Sequence, residues 1–348
     1  MNTREIKVGN LILGGNNPVR IQSMTNTDTR DTEKTIAQIL TLEKEGCEII
    51  RSAIPDEEAA NAVKKIKDAI NIPFIADIHF NYRLAVKAIE AGADCIRINP
   101  GNLGGAEKTR IVADAAKASG AAIRVGVNAG SLEKHLLKEM GVCAESLAQS
   151  ALINARLLED MGFHNFKVSL KASSVPMTIK AYKLFAEKND SPLHIGVTEA
   201  GTNFSGTVKS AVGIGALLAM GIGDTLRVSL TADPADEVRV GWKILSSLDL
   251  RHRGPEIISC PTCGRTEINL IGLAETVEKL LSSSKAKVSI AVMGCPVNGP
   301  GEAREADYGI AGGRGLGIIF RKGEIIKKVK EESLLAEFME ILKNDNIL

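Results

Sequence analysis

Three cysteines in the last quarter of the chain have the residue type and spacing to hold a metal or a cluster. Cys260 and Cys263 form a C-x-x-C pair in CPTCGR, and Cys295 follows in GCPVNGPGE, with Glu302 seven residues further on. A C-x-x-C pair by itself is compatible with a zinc knuckle, a redox disulfide or a cluster. A structural zinc site asks for a fourth Cys or His, and none follows Cys295; His252 lies in a linker. Iron–sulfur clusters usually take four cysteines. Three leave one iron open to a carboxylate or to substrate, the arrangement of a cluster that does chemistry. Asn298, Gly299, Pro300 and Gly301 read as a tight loop that brings backbone N–H groups to the sulfurs. Cys47, Cys95 and Cys143 open strands or a helix and read as small core residues.

A second set of residues sits at the ends of short aliphatic runs. Arg51, Arg97, Arg124, Lys171 and Arg227 are all cations at such ends. A buried guanidinium is costly unless an anion meets it, and phosphate oxygens suit Arg forks best. Five converging cations therefore imply a multiply charged anionic ligand. Asn99, Asn128, Thr198 and Ser229 stand at equivalent places. Asp77 and His79 alternate with Ile78, so both point to one face, where they could orient a hydroxyl or shuttle a proton. Glu199 is a lone carboxylate among the cations, an acid or their counter-charge.

The elements that must position these residues repeat. Between Val19 and Leu248 come eight aliphatic runs, from VRIQSM (19–24) to LHIGVTEA (193–200) and DTLRVSL (224–230), each separated by a helical pattern. Eight strand–helix units predict a closed (β/α)8 TIM barrel, whose active site lies at the C-terminal ends of the strands. Aromatics make up 3% of the chain, which fits aliphatic parallel strands covered by helices. The segment DLRHRGPEI (249–257) marks the boundary, giving a barrel over 1–250 and a small α+β domain over 256–348. In that second part a helix is expected near 270–283, a strand at KVSIAVMG, a hairpin at GIIFRKGEIIKKV and a last helix from Ser333.

Net charge is +1, against a nucleic-acid or membrane-surface protein. The first residues carry no targeting pattern and no apolar run is long enough to span a bilayer, so a cytoplasmic location is expected, where thiols stay reduced. Two other readings are a pterin-binding barrel, which needs no cluster, and a non-catalytic zinc-ribbon protein that binds nucleic acid.

At the motifs CPTCGRTEINL and MGCPVNGPGEA the sequence resembles the 4-hydroxy-3-methylbut-2-en-1-yl diphosphate synthase family, in its bacterial two-domain form. The barrel agrees through IQSMTNTDTRD, ADIHFNYRLA, IRINPGN, VGVNAGSL, VSLKAS, GVTEAG and LRVSLTADP, in order along nearly the whole chain. Pro296 stands where an aliphatic residue is expected. The resemblance implies an oxidoreductase that opens and reduces 2-C-methyl-D-erythritol 2,4-cyclodiphosphate in isoprenoid biosynthesis. It implies one [4Fe–4S] cluster per chain on Cys260, Cys263, Cys295 and Glu302. Arg51, His79, Arg124, Lys171 and Ser229 would bind the diphosphate, while Arg97, Asn99, Asn128, Thr198 and Arg227 line the pocket. Glu199 matches an acid/base, and electrons would come from a flavodoxin or ferredoxin.

Chain direction adds an expectation about assembly. The eighth barrel helix, near Ala235–Leu248, delivers the chain to the bottom of the barrel, opposite the substrate site. That helix is about 20 Å long and the linker spans at most about 30 Å, so a cluster domain is poorly placed to cover its own barrel. A head-to-tail homodimer, with each cluster domain closing the barrel of the other chain, resolves this, and the resemblance supports it.

Overall fold

In the computed structural model, which describes residues 2–282, 284–295 and 303–348, the chain divides into two units, Met1–Arg251 and His252–Leu348.

The first unit opens with an antiparallel hairpin of β1 (Ile6–Val8) and β2 (Leu11–Leu13). Eight parallel strands follow: β3 (Arg20–Met24), β4 (Ile49–Ala53), β5 (Phe74–Asp77), β6 (Cys95–Ile98), β7 (Ala122–Asn128), β8 (Phe166–Lys171), β9 (His194–Ile195) and β10 (Thr225–Leu226). Their order is β8-β7-β6-β5-β4-β3-β10-β9, and a parallel bridge from Val168 to Leu193 joins the two ends, closing the barrel. Helices α1 (Thr32–Glu45), α2 (Glu57–Ala69), α3 (Tyr82–Glu90) and α4 (Ala106–Ser119) cover the first half. After them come a short α5 (Lys134–Met140), then α6 (Ala144–Asp160), α7 (Val175–Ala186), α8 (Asn203–Ala219) and α9 (Pro234–Ser246). Asp31, Asp56, Asn81, Ser174 and Asp233 cap helices by accepting backbone N–H bonds of the first turn, which starts each helix a few residues past a strand end.

The period of two along each strand sorts side chains between two cores. Ile50, Phe74, Ala76, Ile96, Ile123 and Val125 face the helices. Ile49, Ile75, Cys95 and Ala122 face inward and pack on Ile6, Val8 and Leu13 of the hairpin, which plugs the N-terminal end of the barrel. Inward positions further along the strands are polar. The seventh and eighth strands are shorter than the sequence runs suggest. The chain nevertheless continues beside its neighbour, with Arg227 N–H donating to Ile195 O at 3.0 Å.

The second unit is a five-stranded sheet in the order β11 (Glu256–Ser259), β12 (Ser289–Met293), β13 (Tyr308–Gly313), β14 (Leu316–Arg321) and β15 (Glu324–Lys330). The first three strands are parallel, and the last two join the sheet antiparallel. Helices α10 (Leu270–Leu281) and α11 (Leu334–Asn344) pack on it through Leu270, Val277, Leu334 and Phe338 against Ile290, Val292, Ile310 and Ile319. The expected hairpin is β14–β15. Lys327, Lys328 and Lys330 lie along the exposed edge strand, where charge discourages pairing with other chains. Among the described residues, no helix is long and apolar enough to cross a membrane.

Candidate active site

The barrel interior is built from one register row. Asp77, Arg97, Arg124 and Lys167 are Cα partners on the successive strands β5, β6, β7 and β8. All four are buried. Asp77 is the hub: its carboxylate lies 3.2 Å from Arg97 Nη1, 3.7 Å from Arg51 Nε and 3.8 Å from His79 Nε2. Burial alone would raise the Asp77 pKa, but Arg51, Arg97 and Arg124 outweigh it and hold the carboxyl below its usual range. On the other side, both carboxylate oxygens of Glu237 stand 3.3 Å from Arg227 Nη2, and Oε1 also accepts from Leu230 N–H at 2.9 Å. Burial raises the Glu237 pKa despite that partner.

These two carboxylates engage Arg51, Arg97 and Arg227. Arg124, Lys171 and Lys167 form no ion pair within 4.0 Å among the described residues. Arg124 is 2% exposed and Lys167 is fully enclosed; among the described residues Arg124 Nε and Nη1 and Lys167 Nζ have no hydrogen-bond partner. Burial, with the neighbouring cations, pushes Arg124 and Lys171 well below their usual ranges. Unpaired buried cations are costly, and a bound anion removes the cost. The interior is therefore charged for a ligand carrying several negative charges.

Two glycines make room for these cations. A Cβ on Gly126 would stand 2.5 Å from Arg97 Nε, and one on Gly196 would stand 2.8 Å from Lys171 Nζ and 2.4 Å from Arg227 O.

The other expected residues are placed less uniformly. Asn99 is buried and accepts from Gly101 N–H at 3.1 Å, capping the turn after β6. Asn128 ends β7 beside its register partner Lys171. Thr198 and Ser229 are half-buried. His79 lies past the end of β5 and its side chain is 58% exposed, while Asp77 is enclosed. Glu199 is exposed and adopts a left-handed backbone at φ 51°, a conformation that costs a non-glycine residue energy and recurs at functional sites. The buried counter-charges in the barrel are Asp77 and Glu237.

Three interior residues escaped the sequence reading: Lys167, His194 and Glu237. Lys167 shares parity with Lys171 on one strand, so period two places both inward; that signal was available. His194 opens β9, two residues before Gly196. Glu237 comes from the first turn of α9, and its approach to Arg227 is set by tertiary structure.

Lys167 gives a testable consequence. Burial pushes its pKa from 10.5 down to about 8, so the folded protein resists protonating it. Its charged form is a penalty that is full below about pH 8 and fades as pH rises toward 10.5. Lys167→Met should therefore raise Tm at pH 7, and the gain should shrink at higher pH. The same change should weaken anion binding, because a bound anion favours the ammonium. In the wild type, affinity should fall as pH climbs past about 8. Calorimetry and thermal melts across pH check both; a lower Tm in Lys167→Met with unchanged binding would contradict this assignment.

In the second unit, Cys260 follows β11 directly and Cys295 lies just past β12, the adjacent parallel strand with Ser259 opposite Val292. The two thiols thus leave the same end of the sheet. Gly294 N–H donates to Cys260 Sγ at 3.3 Å, and Cys263 N–H donates to Thr266 Oγ1 at 3.1 Å. The backbone N–H of Arg265 lowers the Cys263 thiol below its ordinary value. All six cysteines are free. Soft thiolates with a backbone N–H on one sulfur suit an iron–sulfur cluster in donor type and placement. Among the described residues no three His, Cys, Asp or Glu side chains stand close enough to hold a metal ion. Glu302 and the Asn298–Gly301 loop lie outside the described residues.

Fold and site define a TIM-barrel enzyme with a buried polycationic interior, joined to a small α+β unit bearing free thiols. The chain belongs to the GcpE family: residues 3–242 match the GcpE TIM-barrel domain and residues 256–344 the GcpE protein C-terminal domain. Membership implies an iron–sulfur cofactor. A relative from Caldanaerobacter subterraneus subsp. tengcongensis is 61% identical over 97% of this chain and 96% of its own length. A second, from Fusobacterium nucleatum, is 57% identical over 99% and 98%. A third, from Geobacter sulfurreducens, is 58% identical over 98% of each. All three carry the name 4-hydroxy-3-methylbut-2-en-1-yl diphosphate synthase (flavodoxin). These matches agree with the diphosphate synthase resemblance rather than with the pterin-barrel or zinc-ribbon readings. A dihydropteroate synthase from Stenotrophomonas maltophilia superimposes with a TM-score of 0.51 at 15% identity, covering 71% of this chain and 98% of that one. A type I 3-dehydroquinate dehydratase from Clostridium difficile gives 0.52 at 13%, covering 71% and 98%. Both likenesses are of the barrel fold alone.

Proposed function

We propose that the chain catalyses reductive ring opening and dehydration of 2-C-methyl-D-erythritol 2,4-cyclodiphosphate, on the methylerythritol phosphate route to isoprenoids. Two electrons and two protons enter, one water leaves, and (E)-4-hydroxy-3-methylbut-2-enyl diphosphate is the product. The observation that carries this reading is the set of cations without counter-charge among the described residues, buried Arg124 and Lys167 and half-buried Lys171, in a barrel interior that a polyanion would neutralise. The relatives' shared name supports the same substrate class.

The barrel, 1–250, is the substrate domain. Arg51, His79, Arg124, Lys171 and Ser229 hold the diphosphate, and Arg97, Asn99, Asn128, Thr198 and Arg227 line the rest of the pocket. Asp77 holds Arg97 and Arg51 in place from within. Glu199, exposed on its left-handed turn, moves a proton at the carbon skeleton. The second unit, 256–348, holds one [4Fe–4S] cluster on Cys260, Cys263, Cys295 and Glu302. When bound, such a cluster supplies single electrons and an iron with an open position. Flavodoxin, named with the relatives, is the electron donor, with ferredoxin as the other candidate. The enzyme works in the cytoplasm.

The active form is a head-to-tail homodimer. Arg251, the last residue of the barrel unit, donates to Val19 O at 2.6 Å and to Glu48 at 2.7 Å, beside the starts of β3 and β4. This supports a chain that leaves its barrel at the end opposite the substrate. Mixing variants tests the composite site. Lys171→Ala chains and Cys295→Ser chains should each be inactive toward the cyclodiphosphate with reduced flavodoxin. Mixed dimers, with subunit exchange shown by mass, should regain activity through one intact site. No recovery in exchanged dimers would place each site within a single chain.

A further inference from the structure

His194 lies on β9, fully enclosed and turned into the barrel. Its Nδ1 is 2.9 Å from Oγ1 of Thr225, its register partner on β10, and its Nε2 is 3.2 Å from Lys171 Nζ. The surrounding backbone is fixed by Tyr182, whose hydroxyl donates to His194 O at 2.6 Å and accepts from Leu170 N–H at 3.0 Å. One phenol thus ties the residue before Lys171 to His194 itself. Two residues further on, just past β9, Gly196 leaves the space that the Lys171 head occupies.

The charges that weigh most on the imidazole are positive: Lys171, Arg124, Lys167 and Arg51. Burial and these cations keep the ring neutral, well below the usual imidazole range. A neutral imidazole has one N–H and one lone pair, so the contact with Lys171 has two arrangements. Either an ammonium donates to Nε2 while Nδ1–H donates to Thr225, or a neutral amine accepts from Nε2–H. A multiply charged anion at Lys171 selects the first, because an ammonium bonds a phosphate oxygen far better than an amine does. Among the described residues no carboxylate lies within 4.0 Å of Lys171, so His194 is the side chain that aims its head.

We propose that His194 is a positioning residue that accepts a hydrogen bond from Lys171 and holds its ammonium toward the anionic group of the substrate. This rests on the cyclodiphosphate reading and adds a residue to it. The test is calorimetric titration of the anaerobically purified enzyme with the cyclodiphosphate. His194→Leu should raise Kd about tenfold, the loss of roughly one oriented charged hydrogen bond. His194→Gln, whose amide oxygen can accept the same bond, should recover most of that loss. In a Lys171→Met background, His194→Leu should add nothing further. Thr225→Val, which frees the ring to change tautomer without removing it, should raise Kd about threefold, well under one full hydrogen bond, and serves if His194→Leu does not fold. Unchanged Kd in His194→Leu or Thr225→Val, or full additivity with Lys171→Met, overturns the proposal. Unchanged Kd in Lys171→Met itself overturns the anion-site reading beneath it.

Discussion

Cys295→Ser enzyme, purified without air, should contain no cluster and show no turnover, and Cys260→Ser and Cys263→Ser should behave the same way. The expected effect is all-or-none because a hydroxyl is a poor, hard substitute for a soft thiolate on iron. Cys47→Ala, Cys95→Ala and Cys143→Ala should keep the cluster. Burial raises the Cys47 thiol to about 12 and the Cys95 thiol to about 11, so neither offers a thiolate near neutral pH. Cys143 instead caps α6, where its sulfur accepts from Ser146 N–H at 3.4 Å. Glu302→Ala should disturb the cluster less than any of the three serine variants while reducing turnover strongly, since a carboxylate is the exchangeable ligand. Iron and acid-labile sulfide analysis checks the whole series. A Cys143→Ala protein that loses its cluster while Cys295→Ser keeps it would show the ligand set to be wrong.

Arg124→Ala and Lys171→Ala should each weaken cyclodiphosphate binding by about 1.5–3 kcal/mol, the range for hydrogen bonds to charged groups. Cluster content should stay at the wild-type level in both. The fold should tolerate Arg124→Ala, because among the described residues Arg124 makes no ion pair within 4.0 Å whose loss would orphan a buried carboxylate. Arg97→Ala is the contrasting case: it strips Asp77 of its closest cation, at 3.2 Å, and should cost stability as well as affinity. Titration calorimetry and thermal melts separate the two effects. Unaltered binding in both Arg124→Ala and Lys171→Ala would mean that these side chains serve the fold alone.

The barrel could be read from sequence because its strands are buried on both faces and therefore stand out as aliphatic runs interrupted by inward polar residues. IIRSA, FIAD and CIRI each show this in a single strand, and the charged residue in each, Arg51, Asp77 and Arg97, is the one that faces the interior. The N-terminal plug was missed. IKV and LIL are three residues each, and their role depends on meeting Ile49, Ile75, Cys95 and Ala122, which are distant in sequence. The five cations were legible as a set, whereas their pairing was not. Glu237 belongs to the helix that follows Arg227 and reaches it through the turn between strand and helix, ten residues on, and Asp77 proves to be an interior hub. His194 was hidden because a lone histidine within an aliphatic run carries no motif; only its position between Lys171 and Thr225 gives it a task. In the second unit the Cys spacing gave the donor type, and the parallel pairing of β11 with β12 explains how Cys260 and Cys295 reach one end of a sheet.

The most direct test is the metal content and visible spectrum of wild-type protein purified and kept without air. The account predicts a brown protein with about four iron and four sulfide per chain, as for a single cubane, bleaching on reduction. A colourless protein carrying zinc, or one with no metal and full binding of the cyclodiphosphate, would contradict it.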